Sequence, residues 1–385
     1  MPGNGRFHAF QISNGLGAGN LGDEMMARSF WSALPEEMSL MVALFSESAR
    51  QREPYPSRHF YMPVDYAGNE CTAAGRLPGL LVGGTPVTES EGLHWPLEFL
   101  APRLLWFHEA GLPVDAVGVG MDHLETREAR SLFEKAFQPV RSWTVRSERC
   151  RQSLLDLGVS DDRIAVGADL GWLYAPRALP YRWARQTWEQ AGIDLARPLL
   201  VANVVNMFWR GSKEARRALA TALDQAAEGG LQVAFLCNEC RDGEFFDHAA
   251  ATEIAAMMSA PTKVLPNLYY SPAEMLALMA CAQVAVAQRY HFALQAILSG
   301  TVPVVLMRGQ KMAGLAEETG IPAPGWVDCL RAQDLTAAIE DVLSQREHWL
   351  GLLAATRLRM QDRARRNFVF LRQYYSELRW PAGTV

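Results

Sequence analysis

The chain has 385 residues, 49% hydrophobic and 21% charged, the balance of an ordinary globular protein with material for about two domains. Its 37 basic and 42 acidic side chains leave a net charge of −5, which excludes a whole-protein basic footprint for nucleic acid. No run approaches about 18 apolar residues, the N-terminus has no apolar signal segment, and six cysteines do not make a disulfide scaffold, so a cytoplasmic protein without a membrane span is expected.

Short apolar runs alternate with helical patterns from the start. FHAFQI, MSLMVALF, LPGLLVGG, VDAVGVG, RSWTV and RIAVGA read as buried strands, with helical periodicity over 23–34, 95–109, 125–137 and 148–157. Pro176, Pro180 and Pro198 then flank one helix-like stretch without a strand, which marks a domain boundary. The alternation restarts with PLLVANVV, a helix opened by Ser212 and stopped at Gly229-Gly230, and LQVAFLC. Ser271-Pro272-Ala273-Glu274 is a full helix start, leading into AQVAVA; HFALQAILSG is a short helix ended by Gly300, and VPVVLM follows. The expected fold is α/β, with two Rossmann-like domains in tandem and a cleft between them: 1–180, 196–345, and a C-terminal helix over 346–385 packing back on the body. Met360, Ala364, Phe368, Leu371, Tyr375 and Leu378 form that helix's apolar stripe, and seven arginines share 351–379 with only Asp362 and Glu377. The basic face is read as solvated; the alternative is peripheral contact with the inner face of a membrane or with a pyrophosphate-linked lipid.

Gly17-Ala18-Gly19-Asn20-Leu21-Gly22 matches GxGxxG after a strand and before a helix, the pattern of a dinucleotide loop. Three features oppose that reading. Asp23 and Glu24 put negative charge where pyrophosphate would sit. Ser13-Asn14-Gly15-Leu16 lengthens the turn. Glu47 only loosely supplies the acidic residue expected after the second strand.

The same segment, extended to Gly22-Asp23-Glu24, resembles the polysaccharide pyruvyl transferase family. Leu81-Val82-Gly83-Gly84 and Val117-Gly118-Val119-Gly120 resemble its later glycine loops. Thr144-Val145-Arg146-Ser147 with Asp169 resembles its VRD…D segment, and Gln288-Arg289-Tyr290-His291, Val302-Pro303 and Lys311 resemble its RxH…P…K signature. Together these span about residues 10–325. Thr85 departs from a common third glycine, and Ser147 from a usual Asp. The resemblance implies a GT-B-like arrangement of the two domains, with the acceptor on the N-terminal side and the donor on the C-terminal side. It also implies phosphoenolpyruvate as donor, a saccharide or lipid-linked saccharide as acceptor, and a pyruvate ketal and phosphate as products, in the synthesis of an exopolysaccharide or cell-envelope glycan.

The residues suit that chemistry. An anionic donor needs Arg or Lys and helix N-termini, and Arg289, Lys311 and Arg146 each follow a strand end, the ligand-binding edge of an open α/β sheet. A proton must reach the donor's methylene carbon, and His291 is the candidate acid, with His123 as a second catalytic histidine. Asn20, Asp23 and Glu24, and more weakly Asn238 and Asp242, are candidate acceptor ligands; Gly17, Gly19, Gly22, Gly83 and Gly84 form the glycine loops. Tyr55, Tyr66, Phe208 and Trp209 could stack on sugars or simply pack in loops. Cys237-Asn238-Glu239-Cys240 is a lone CxxC, too few ligands for structural zinc, so no metal and no cofactor beyond the donor substrate are expected. The rivals are a GT-B glycosyltransferase using a nucleotide sugar, for which Glu317 and Glu318 would clamp a ribose, and a glycan-binding protein without turnover.

Overall fold

The computed structural model describes residues 7–47, 52–89, 95–206 and 213–381. The chain divides into two compact units: unit 1 comprises the chain up to Ala18, Asp23–Ala175 and the chain from Arg359, and unit 2 comprises Gly19–Gly22 and Pro176–Leu358.

In chain order, unit 1 is built from β1 (Ala9–Ile12), α1 (Leu21–Ala33), β2 (Leu40–Leu44), β3 (Phe60–Pro63), β4 (Gly79–Val82), α2 (Leu97–Glu109), β5 (Val114–Val119), α3 (Arg127–Leu132), β6 (Ser142–Val145), α4 (Glu148–Asp156) and β7 (Ile164–Val166). Its strands are all parallel, in the order β3-β2-β1-β4-β5-β6-β7. The chain winds outward from β1 in one direction and restarts at β4 in the other. The β1/β4 boundary is therefore the switch point where such sheets bind ligands. β1, β4, β5 and β6 are buried throughout, which is why they read as unbroken apolar runs. Phe10, Phe107, Phe133, Phe137 and Trp143 lie in the core of this unit.

Unit 2 repeats the plan with α5 (Tyr181–Gln190), β8 (Leu199–Asn203), α6 (Lys213–Glu228), β9 (Gln232–Phe235), α7 (Asp247–Met257), β10 (Thr262–Val264), α8 (Pro272–Met279), β11 (Val284–Ala287), α9 (Tyr290–Ser299), β12 (Val302–Met307), α10 (Gln310–Thr319), β13 (Gly325–Trp326) and α11 (Ala332–Ser344). Its parallel order is β10-β9-β8-β11-β12-β13, so the second switch point lies between β8 and β11, with Ala287 opposite Asn203. Ser271 makes the full capping box with Glu274 at α8. The sequence reading passed over β3, β10 and β13. All three are edge strands, part-exposed and two to four residues long, so they carry no apolar run to notice.

The C-terminal segment differs from the single helix expected. α12 runs from Arg346 to Arg365, a 3-10 turn takes Arg366–Phe368, and α13 covers Val369–Tyr374. The stripe is nevertheless buried: Met360, Ala364, Phe368, Leu371 and Tyr375 are all in the core, while Leu378 is half-buried. Phe368 stacks on Phe30 of α1 at 5.9 Å between centroids, and buried Asn367 donates to the Ala168 carbonyl at 2.7 Å. Several of the arginines are also engaged; Arg363 donates to the Gly167 carbonyl and Arg357 to that of Leu298. Among the described residues no helix is long and apolar enough to cross a membrane.

If the C-terminal segment is part of the unit 1 core, Phe368→Ala lowers stability by about 3–5 kcal/mol, the cost of deleting a fully buried aromatic ring. Urea denaturation followed by fluorescence checks this, and a change below about 1 kcal/mol contradicts it.

Candidate functional site

The glycine loop after β1 is shaped by what packs against it. Gly17 has φ of 80°, and a Cβ there would collide with the backbone of Ser46, so only glycine fits. Its N–H donates to Glu24 Oε1 at 2.9 Å, and Tyr55 donates its hydroxyl to Glu24 Oε2 at 2.8 Å. Glu24 is fully buried, and burial holds its carboxyl above the ordinary value, against the opposing pull of Tyr55, Arg28 and the Gly17 N–H. Both oxygens are thus occupied inside the protein, which corrects the expectation that Glu24 binds an acceptor. Tyr55, 5% exposed and edge-on to Trp31, is likewise unavailable to stack on a sugar. Asp23 is half-buried against Gly15.

The N-terminus of α1 is filled as well. The Leu21 N–H donates to the Asn238 carbonyl at 3.0 Å, and the Gly22 N–H donates to Asn20 Oδ1 at 2.9 Å, so Asn20, not Asp23, caps the helix. Gly22 lies flat against the His291 imidazole; a Cβ there would overlap the ring. The first N–H groups of α1 are satisfied and the space beside them holds a histidine. That accounts physically for the failure of the dinucleotide reading.

His291 belongs to the first turn of α9, directly after β11. It is 7% exposed, and its ring lies edge-on to Tyr290 with centroids 5.3 Å apart. Lys311, in the first turn of α10 after the neighbouring strand β12, holds its Nζ 5.1 Å from the Tyr290 ring centroid. His291 and Lys311 thus both lie near the Tyr290 ring within unit 2. Among the described residues, neither α9, with Arg289 as N-cap, nor α10, with Gly309, shows a side-chain hydrogen bond capping its start.

Arg289 is not the bare cation that was expected. Its Nε donates to Asp247 Oδ1 at 2.7 Å, and its Nη2 forms ion pairs with the same oxygen at 2.6 Å and with Glu239 Oε2 at 3.0 Å. Arg241 also pairs with Glu239. Two carboxylates and two guanidiniums cancel, so this cluster organises the sheet edge instead of attracting an anion by net charge. Asp247, 1% exposed, is its hub: it also accepts from Asn203 Nδ2 at 2.9 Å and from the Asn238 and Glu239 N–H groups. Sequence reasoning missed Asp247 and Glu239, because nothing in their spacing separates them from the exposed neighbours Asp242 and Glu244. Beside them, Asn203 Oδ1, Asn238 Oδ1 and Gln288 Nε2 are buried polar atoms without a hydrogen-bond partner among the described residues.

The other expected ligands fare differently. Asn238 is buried against Asp247 and Leu21 instead of being presented to an acceptor, and exposed Asp242 accepts from Asn267 at 2.8 Å. Cys237 and Cys240 follow β9; burial pushes the Cys237 thiol up to about 12 and raises Cys240 too, so neither is a reactive thiolate. In unit 1, buried Arg146 lies against Gly120, meets Asp169 Oδ2 at 3.5 Å and donates to Thr85 Oγ1 at 3.3 Å. Ser147 caps α4 by accepting from the Cys150 N–H at 3.3 Å. The two departures, Thr85 and Ser147, thus both have local partners. His123 is exposed after β5, 3.5 Å from Arg130 Nη2. Gly83 and Gly84 take left-handed backbone after β4, and Gly19 does so in the first loop. Phe208 and Trp209 lie outside the described residues.

A family model described as polysaccharide pyruvyl transferase matches residues 72–309, which include Gly83, Gly84, Arg146, Asp169, Arg289 and His291 but not the first glycine loop or Lys311. No curated protein sequence matches the chain. Among solved structures, MnaA of S. aureus with UDP is similar at 9% identity and TM-score 0.66, covering 98% of this chain and 99% of the other. UDP-GlcNAc 2-epimerase from Neisseria meningitidis bound to UDP-GlcNAc is similar at 10% identity and TM-score 0.62, over 95% and 99%. Anabaena Alr3699/HepE in complex with UDP-glucose is similar at 13% identity and TM-score 0.60, over 96% and 99%. At such identities the likeness is one of fold: α/β, two parallel sheets with flanking helices, of the GT-B-like class.

Two outcomes follow. A carboxyl whose native pKa is raised favours folding most below its unfolded value, here 4.5, and loses that contribution as pH rises through the native value. Wild type therefore loses stability relative to Glu24→Gln between about pH 4 and about pH 7; urea midpoints of both proteins check this, and a relative gain contradicts it. Gly22→Ala costs about 1–3 kcal/mol by overpacking against the imidazole. Combining it with His291→Gly relieves the clash, so a double-mutant cycle gives a coupling energy where independent sites would add.

Proposed function

The chain belongs to the polysaccharide pyruvyl transferase family, and from that premise we propose that it transfers a pyruvyl group from phosphoenolpyruvate to two hydroxyls of one saccharide, forming a cyclic ketal and releasing phosphate. The observation that carries this reading is the β8/β11 switch point. Next to it two helix N-termini, following the adjacent strands β11 and β12, bring His291 and Lys311 close to the Tyr290 ring.

The donor carries a carboxylate and a phosphate, and the first-turn N–H groups of α9 and α10 supply directed donors for them, with Lys311 as a point charge. Asn203, Asn238 and Gln288 add unsatisfied polar atoms at the same sheet edge. Arg289 acts here by neutralising Asp247 and Glu239 and fixing the start of α9. Arg146, tied to Asp169 and Thr85, is the corresponding cation of unit 1.

In the reaction, His291 delivers a proton to the methylene carbon of the enol phosphate, making the central carbon electrophilic. One sugar hydroxyl adds to that carbon and returns a proton to His291. The carbon–oxygen bond to phosphate breaks with its electron pair leaving on phosphate. The second hydroxyl adds in turn, and its proton leaves with the phosphate. Atoms and charges balance without a metal or redox partner. Asp23 is the carboxylate of the first glycine loop suited to orient an acceptor hydroxyl, since Glu24 is sealed.

The nucleotide-sugar rival draws on the fold, because solved structures of similar fold hold UDP or UDP-sugars. Its proposed ribose clamp, Glu317 and Glu318, lies in the last turn of α10, about 9 Å along the helix from Lys311 at 1.5 Å per residue. That separation weakens it.

Calorimetry on the wild type should show binding of phosphoenolpyruvate and none of UDP; the reverse result favours the rival. His291→Gln keeps donor affinity within about threefold and lowers phosphate release by about a hundredfold or more. Undiminished turnover in that variant removes His291 as the acid. Arg289→Ala is a poor probe, because it strands two buried carboxylates and destabilises the sheet edge.

A further inference from the structure

Unit 1 carries an aromatic cluster that the reaction scheme does not use. Phe45 follows β2, Tyr66 follows β3, Trp95 precedes α2 and Phe99 lies in its first turn after β4, so all four rings come from the carboxyl edge of the first sheet. Phe45 lies 6.1 Å from Tyr66, 6.4 Å from Trp95 and 5.3 Å from Phe99; Tyr66 and Phe99 are 6.4 Å apart, and Trp95 and Phe99 4.9 Å. Tyr66 is 80% exposed and Trp95 41%, whereas Phe45 and Phe99 are half-buried beneath them.

The turn bearing Tyr66 is firmly built. Arg103, fully buried, donates from Nε to Glu70 Oε1 at 2.7 Å and from Nη2 to the Asp65 carbonyl at 2.5 Å, and it also donates to the Phe99 carbonyl. Its guanidinium lies 3.6 Å over the Phe99 ring, and Glu70 in turn accepts from the Asp65 N–H at 3.2 Å. A buried ion pair therefore anchors the backbone at Asp65, from which the next residue, solvent-facing Tyr66, projects. Exposed aromatic surface is unfavourable in water, and clusters of it on rigid supports mark binding sites.

We propose that Phe45, Tyr66, Trp95 and Phe99 form a stacking platform for a saccharide ring of the acceptor, an inference that rests on the family's action on saccharides. Size supports that occupant. Aromatic side chains offer about 150–250 Å² each, so Tyr66 and Trp95 together expose about 250 Å². That suits the face of a sugar or two and falls far short of the roughly 800 Å² per partner of a stable protein interface. The flanking residues suit it as well: Ser46 and Glu98, each next in sequence to a platform ring, are exposed polar residues of the kind that bonds sugar hydroxyls beside an apolar face.

The test is retention of the full chain on an array of immobilised oligosaccharides of hexoses and N-acetylhexosamines, with phosphoenolpyruvate binding measured separately by calorimetry. The wild type retains members of the array. Tyr66→Ala weakens retention by about tenfold or more, Tyr66→Phe restores most of it, and Trp95→Ala weakens it independently. Because Tyr66 makes little of the core, Tyr66→Ala keeps the wild-type melting temperature and donor affinity. Equal retention by Tyr66→Ala, or no retention of any saccharide by the wild type, overturns the platform. Loss of donor binding in the wild type instead overturns the transferase reading, so the two failures are distinct.

Discussion

A carboxylate sealed in a protein interior must find cations and hydrogen-bond donors, and much of the second unit's sheet edge is organised by that requirement at Asp247. Its partners come from three separate pieces of chain: Asn203 ends β8, Asn238 and Glu239 follow β9, and Arg289 follows β11. Binding all three to one side chain fixes the switch point between β8 and β11 and sets the direction in which α9 leaves the sheet. His291 and Tyr290 inherit their places from that direction. The cluster is charge-balanced, so its contribution is geometric.

The first glycine loop shows the complementary constraint, that space denied to a side chain is given to something else. Gly17 admits the Ser46 backbone, and Gly22 admits the His291 ring. Only five positions of chain separate them. Between them Asn20 closes the helix start, and beyond them Glu24 locks the loop from within through Gly17 and Tyr55. A motif that looks like a phosphate cradle in one dimension is thus already occupied: the N–H groups of Gly17, Ala18, Leu21 and Gly22 are bonded to protein, and an imidazole lies against Gly22. The same physics separates the two acidic residues of this loop: Glu24 is a buried anchor, whereas half-buried Asp23 stays near solvent.

The two units also divide their polar resources differently. The edge of the second sheet concentrates buried amides and ionised groups, some with unsatisfied atoms, in keeping with a small, highly charged ligand. The edge of the first sheet presents Arg146 with Asp169 at one part and an aromatic cluster on an Arg103–Glu70 support at another. Flat rings bordered by hydroxyl and carboxylate side chains suit a ligand that is apolar on its faces and polar at its rim.

The sequence by itself determined the elements that are buried on both sides. Central strands such as GLLV, VAVA and VPVVLM must be continuously apolar when helices cover both faces of the sheet, and that pattern is visible without coordinates. Short linear signatures were legible for the same reason of locality: Arg289, Tyr290 and His291 are consecutive, and a helix opening straight after a strand puts them at the sheet edge. Edge strands, the break in the C-terminal helix at Arg366–Phe368, and the hub at Asp247 were not legible. Each depends on partners distant in the chain, and residue type alone does not say which acidic side chain will be buried. Only the tertiary structure decided that Glu24 is sealed while Tyr66 is exposed, and that Arg289 meets two carboxylates before it meets any ligand. Burial and charge pairing are properties of the folded neighbourhood, and the order of residues specifies them only through the whole fold.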